Sequence, residues 1–290
     1  MNPRLLRTAA VLATLGVLGA FMAGCQKKPA EPALTPKIAP PAIKQAGVLR
    51  VAIDPTQPPF AGAAEGQTVG MDVDVAAAVA ERLGLKLELV ELGWKEIPKA
   101  VANRTVDLGL GAIPITEAVL ADVSVAGSYA TDGIGLFAVT ATGTGEATAA
   151  LSAAEAAALV ADAKVGCQKE SPAQWFLESE FWEGYAKTYD TLRAAFDALK
   201  AGEIDYVACD AFVGAYLARD YDSIRFIGPL GEPAPLGALV AKDSAELEMS
   251  VREVLDAMAA DGTLAAIRAK WVGDLPDIRA DASAEQTGTP

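Results

Sequence analysis

The chain has 290 residues, 52% hydrophobic and 21% charged, enough for two ordinary domains with proper cores. Its 24 basic and 38 acidic side chains leave a formal charge of −14, the wrong sign for a nucleic-acid surface and the right one for attracting a cationic solute. Histidine is absent, which removes the usual general base near neutral pH and the commonest metal ligand; no metal site and no cofactor are expected.

Residues 1–24 read as a targeting segment. Arg4 and Arg7 make a basic start, and an apolar run from Ala9 to Ala23, too short to span a bilayer comfortably, closes on Met22-Ala23-Gly24-Cys25. Small residues before a cysteine resemble a bacterial lipobox, which makes Cys25 the lipidation site of a lipoprotein; an ordinary cleaved signal peptide with an incidental cysteine is the alternative. Acyl chains on Cys25 would anchor the protein to a membrane, in the periplasm or at the cell surface, without spanning it. Residues 25–45, with Pro29, Pro32, Pro36, Pro40 and Pro41, read as an extended Pro/Ala tether unable to pack.

Strands and helices then alternate. Val48 to Asp54 reads as a strand ending in a carboxylate, and a proline-stiffened loop follows and presents Phe60. Gly70 is a turn glycine. Met71, Val75, Val79 and Leu83 recur at helical spacing over 71–83, with Asp72 and Asp74 in the first turn, where acids complement the helix dipole. Leu85-Leu87-Leu89 and Val106-Leu108-Leu110-Ala112 alternate as strands, and Ile134 to Thr140 is another. Ser152 with Glu155 is a capping box for a helix to about Ala161, Lys164 to Gln168 a strand, and Ser171-Pro172-Ala173-Gln174 a second box with proline at the first helical position. Thr191 caps a helix over 192–201, Ile204 to Cys209 is a strand, and Asp210 caps the helix to Arg219. Strands over 223–228 and 236–241, a helix over 245–260, a last helix carrying Trp271 and a polar tail complete the chain. Alternating βα units imply parallel sheets covered by helices, with ligands beyond the carboxyl ends of the strands: just after Ile53, Leu110, Cys167 and Cys209.

Leu49-Arg50-Val51-Ala52-Ile53-Asp54-Pro55-Thr56-Gln57-Pro58-Pro59-Phe60 and Gly70-Met71-Asp72-Val73-Asp74-Val75 resemble the opening of the family 3 extracellular solute-binding proteins, the polar-amino-acid receptors of ABC importers. The resemblance implies an α/β, type II periplasmic-binding-protein fold whose two parallel-sheet lobes share a two-strand hinge. Lobe 1 would take 46–138 plus 235–275, lobe 2 would take 139–234, and 276–290 would be a disordered tail. Two lobes on such a hinge can close over a solute. The implied function is a lipid-anchored receptor, not an enzyme, that delivers a small polar solute to ABC permease subunits and acts as a monomer.

Phe60 and Trp94 match the family's aromatic positions, which flank the ligand side chain; both could equally be core aromatics. Asp54 is either a ligand contact or a loop cap. Asp210 stands where the family binds the ligand's ammonium, and it can cap its helix as well. Ser171 starts a helix whose neighbours Glu170 and Pro172 suit capping more than anion binding, and Gln168 is a polar contact at the strand end. The stretch Ala112-Ile113-Pro114-Ile115-Thr116-Glu117-Ala118-Val119, headed by the candidate contact Ala112, departs from the family. Val119 replaces the arginine that forks onto the ligand's α-carboxylate, and Pro114 replaces a common hydroxyl. Losing one partner of such a pair in a dry cleft costs about 3–5 kcal/mol, against about 8.2 kcal/mol for micromolar binding. A ligand with an amine and no required α-carboxylate follows, unless Arg104 or backbone amides take that group. The family topology sets the strands of Cys167 and Cys209 side by side, so these two form a disulfide or remain buried small hydrophobes. Two other functions fit the scaffold: a sensor or assembly protein with a ligand-free cleft, and a cyclohexadienyl dehydratase-like enzyme. Val119 and the missing histidine argue against the second.

Overall fold

The computed structural model describes residues 34–140, 150–276 and 278. The leader over 1–24, Cys25 and most of the proposed tail over 276–290 lie outside the described residues. The first half runs β1 (Val48–Ile53), β2 (Gly62–Ala64), β3 (Gln67–Val69), α1 (Met71–Arg82), β4 (Lys86–Glu91), α2 (Ile97–Ala102), β5 (Leu108–Gly109), α3 (Glu117–Leu120) and β6 (Ser124–Val139). The second runs α4 (Ala153–Val160), β7 (Val165–Gln168), α5 (Pro172–Glu180), β8 (Lys187–Tyr189), α6 (Leu192–Lys200), β9 (Tyr206–Asp210), α7 (Ala211–Ala218), β10 (Ile224–Val240), α8 (Ala245–Ala260) and α9 (Thr263–Val272).

The main sheet has the order β4-β1-β5-β10-β6-β9-β7-β8. β1 lies parallel to β4 and β5 at one end, and β7 lies parallel to β8 and β9 at the other. Between them β6 and β10 run antiparallel over nearly their whole length. β10 meets β5 through Leu239, near its C-terminal end. β6 meets β9 through Ile134 to Phe137, near its own. Each long strand therefore serves both halves, and the pair forms the two connections of a two-lobed α/β protein. Their register slips between Leu230 and Ala234, opposite Asp132 and Ile134. The pairing of the two connecting strands is thus broken around Asp132. The two strands expected on either side of 228–236 are one continuous β10.

Helix placement follows local chemistry. α1 buries Met71, Val75, Ala76 and Val79 against the sheet, each large side chain contributing about 1.5–3 kcal/mol of transfer free energy. At α4 the Glu155 amide donates to Ser152 Oγ (3.3 Å) and the Ser152 amide to Glu155 Oε2 (2.8 Å), closing the expected box. At α5 the Gln174 amide donates to Ser171 Oγ (3.2 Å), but Gln174 Oε1 accepts from Glu170, one residue before the cap (2.8 Å).

The end of the segment read as a tether packs. Ile38, Ala42 and Ile43 are buried in the large apolar cluster of lobe 1. The Lys37 amide donates to Leu83 O (2.9 Å). The prolines there do not prevent burial, because two isoleucines supply an apolar face that spaced prolines leave intact. Leu275 and Ile278 join the same cluster, so the chain past Gly273 begins packed rather than frayed.

Candidate functional site

Asp54 directly follows β1 and is buried. Its Oδ1 accepts from the Thr56 amide (2.9 Å) and hydroxyl (2.7 Å), and its Oδ2 accepts from the Trp94 amide (2.9 Å) and Gln57 Nε2 (3.2 Å). Burial pushes this carboxyl up, but the four donors outweigh it and hold it below its ordinary value. Its acceptor sites tie the loop after β1 to the Trp94 loop, the geometry of a loop cap. Asp54→Ala should cost about 2–3 kcal/mol in urea unfolding, because it leaves two amides without their charged acceptor; a shift below about 0.5 kcal/mol would refute that role.

Trp94 lies 46% exposed, with Lys95 Nζ 5.3 Å from its ring centroid, so the chain's own cation covers it. Phe60 is buried and stacks on Phe212, with centroids 5.3 Å apart and planes at 21°. Phe60 belongs to lobe 1 and Phe212 opens α7 in lobe 2, so the two lobes touch ring to ring at the cleft.

Behind Phe60, whose carbonyl accepts the Asp72 amide (2.9 Å), lies a buried cluster of polar groups of lobe 1. Ala112 takes a left-handed conformation (φ +52) and donates its amide to Tyr129 Oη (3.1 Å). Asp72, in the first turn of α1, is fully buried beside them, and neither carboxyl oxygen has a hydrogen-bond partner of good geometry. Burial raises its pKa to about 7, against the downward pull of the nearby Tyr129 hydroxyl and the Gly111 and Ala112 amides.

On lobe 2, Gln168 is exposed at the end of β7 and its carbonyl accepts from Ser171 Oγ (2.6 Å). The Ser171 hydroxyl is thereby engaged on both sides in capping α5. Asp210 ends β9 and accepts the Val213 amide (3.0 Å) as the cap of α7. Beside it stands Asp132, buried on β6, which accepts the amides of Gly133 (2.8 Å) and Phe212 (3.3 Å). The two carboxyl groups face each other, and burial raises both, Asp132 the more because of the Asp210 charge. Of the expected contacts, the structure brings Phe60 and Asp210 to one place and sets Ala112 behind Phe60, while Trp94, Gln168 and Ser171 stay near the surface.

Neither replaced position brings a donor. Val119 packs against the apolar cluster around Ile97, Val101 and Leu239. Pro114 is exposed and bridges to Leu236. Arg104 pairs with Asp243 (2.8 Å) and donates to the Asp243 and Pro41 carbonyls, so it is not a relocated clamp.

Cys167 and Cys209 are both free and buried, and strand register explains why. β7 and β9 pair with Val165 opposite Tyr206 and Gly166 opposite Val207. Cys167 is then level with Ala208 and shares its face, while Cys209, one residue on, points to the opposite face. Accordingly Cys167 and Ala208 pack in one apolar cluster, and Val207 and Cys209 in another. Burial pushes Cys167 up to about 11 and Cys209 well above its ordinary value. In protein starting at Gln26, a thiol reagent should react with neither until denaturant is added, and then with both; a native disulfide by mass spectrometry would overturn the register argument.

Sequence reasoning missed Asp132, Phe212 and the buried Asp72–Tyr129 cluster. The signal at Asp132 was present: an acid followed by glycine between two apolar runs. The apolar alternation begins only at Ile134, which by pattern alone puts Asp132 in a loop, whereas β6 starts at Ser124.

Comparison with known proteins agrees with the two-lobed α/β fold. Bacterial extracellular solute-binding proteins, family 3, match the chain over residues 49–274, and the chain belongs to that family. The L-cystine-binding protein TcyJ of Escherichia coli (strain K12) is 24% identical over 237 residues, covering 80% of this chain and 85% of that one. An ancestral cationic amino acid solute-binding protein superposes with a TM-score of 0.64 at 27% identity, covering 78% of this chain and 96% of its own. Cyclohexadienyl dehydratase of Pseudomonas aeruginosa is 38% identical, but over 74 residues, 28% of that enzyme.

Proposed function

We propose that this protein is a lipid-anchored extracytoplasmic receptor that captures an amine-bearing solute between its two lobes and hands it to an ABC importer. Family membership supports the receptor class, and the pair of long strands through both lobes supports closure over a ligand. The lipobox-like Met22-Ala23-Gly24-Cys25 supports the anchor. The observation that carries the ligand class is the electrostatics of the cleft. Acids gather there (Asp132 and Asp210, with Asp72 behind), while Val119 is committed to an apolar cluster and Arg104 to Asp243. Such a cleft favours a cation, and neither Val119 nor Arg104 supplies it with a side-chain fork for an α-carboxylate.

A thermal-shift screen tests this on protein starting at Gln26. Amino acids and their decarboxylated amines are compared at about 1 mM, where ligand that binds only the folded chain raises the midpoint by mass action. Amines should raise it at least as much as their parent amino acids. Strong shifts confined to α-amino acids would mean that the carboxylate is held by backbone amides and that the inference from Val119 is wrong.

A further inference from the structure

Successive amides in the first turn of α7 hold two acids from different strands. The Phe212 amide donates to Asp132 Oδ1 (3.3 Å) and the Val213 amide to Asp210 Oδ1 (3.0 Å). Ile134 pairs with Asp210 across β6 and β9, so Asp132 and Asp210 meet at the end of that ladder with their carboxyl groups within hydrogen-bonding reach. Asp132 is 5% exposed. Two carboxylates so placed do not both ionise, and one proton stays between them. The groups that bear on the pair are each other, the amides of Gly133, Phe212 and Val213, and the Cys209 thiol. None of these is positively charged. The same Phe212 stacks on Phe60 of the opposite lobe, so the pair sits beside the ring contact that joins the lobes.

We propose that Asp132 is a specificity-determining residue of this cleft: with Asp210 it grips one ligand nitrogen, a primary ammonium or guanidinium that replaces the proton held between the two carboxyls. The inference rests on the amine-receptor reading above and adds a partner and a proton to it. The exchange balances. A carboxylic acid and a carboxylate receive one cationic nitrogen, two carboxylates now accept its N–H groups, and one proton leaves to solvent. A site of net charge −1 becomes −2 and is returned to −1 by the ligand, so no additional buried charge is created. Ammonium and guanidinium groups can donate to two carboxylates at once; a quaternary ammonium cannot.

Titration calorimetry tests this on protein starting at Gln26, with putrescine, agmatine and L-arginine as probes and choline as the cation without N–H. Measurements at pH 6 in buffers of different ionisation enthalpy count protons. The expected result is release of about one proton per ligand, and a Kd that falls about tenfold per pH unit on the acid side. Asp132→Asn, whose side-chain oxygen can still accept from the Gly133 and Phe212 amides, should abolish the release and raise Kd at least about tenfold. Choline should bind at least about tenfold more weakly than agmatine. Proton release is read on the unaltered chain, so the test holds even where the variant does not fold. Binding without proton release, or an unchanged Kd in Asp132→Asn, overturns this inference and leaves the receptor reading standing. No heat with any probe overturns both.

Discussion

Gly70→Ala should cost about 3–5 kcal/mol of stability and take ligand binding with it. Gly70 has φ +155 and ψ 176, a region open in practice to glycine alone. A Cβ there would stand 2.0 Å from the Phe60 carbonyl oxygen and 2.6 Å from Ala61 Cα. Both are backbone atoms, so no side-chain rotation relieves the clash. The contact is tight because the first amides of α1 clasp the loop before them: Met71 donates to Pro59 O and Asp72 to Phe60 O, each at 2.9 Å. Pushing that loop away shifts Phe60 from Phe212 and Asp72 from the Ala112 turn. Urea unfolding measures the stability loss, and the calorimetry above measures binding. Gly66→Ala is the matched control. Its φ is +76 and no atom lies within 4 Å of the added Cβ, so only backbone preference is lost, about 1 kcal/mol. Equal losses in the two variants would sink the close-approach argument.

The elements legible in the sequence are those whose signal is local. α8 begins and ends where its apolar spacing and Gly262 put it, and α4, α6 and α7 start at Ser152, Thr191 and Asp210 as their caps foretell. Elements fixed by distant contacts were not legible. The short β2–β3 hairpin pairs mainly with itself and carries little apolar pattern. β5 is two residues of a longer alternating run, because only Leu108 and Gly109 find partners. The continuity of β6 and β10 depends on their pairing with each other, and neither strand alone announces it. The candidate site divides the same way. Asp210 was legible because one residue both ends a strand and caps a helix. Asp132 was not, because its meaning comes from a neighbour 78 positions away that only the sheet order supplies. Ile38 and Ile43 were hidden by the prolines around them, whose composition suggested a tether although the two isoleucines did not.

The second large effect is on pH. The unliganded protein should lose stability as pH rises from about 4 to above 7, the opposite of the usual acid lability. Asp72 is the main cause. In the unfolded chain it titrates near 3.8, and in the folded chain near 7. Between these values the folded state keeps a proton that the unfolded state has released, so each step upward in pH favours unfolding. Its contribution is fully present below 3.8 and is lost as pH passes through about 7, a span worth on the order of 4 kcal/mol. The Asp132–Asp210 pair acts in the same direction, since burial raises both. Asp54, held below its ordinary value, and Asp261, held at about 2 by Thr263 and Arg82, act the other way, but only at lower pH. Asp72→Asn separates these contributions, because the amide is neutral throughout. Whatever the variant loses in packing it loses equally at pH 5 and pH 8, so the informative quantity is the slope. Urea unfolding at the two pH values should show the unaltered protein weakening by about 2–3 kcal/mol more than the variant. Parallel losses would place the Asp72 proton elsewhere and show that the Tyr129 hydroxyl and the Gly111 and Ala112 amides are enough to keep a buried carboxylate ionised.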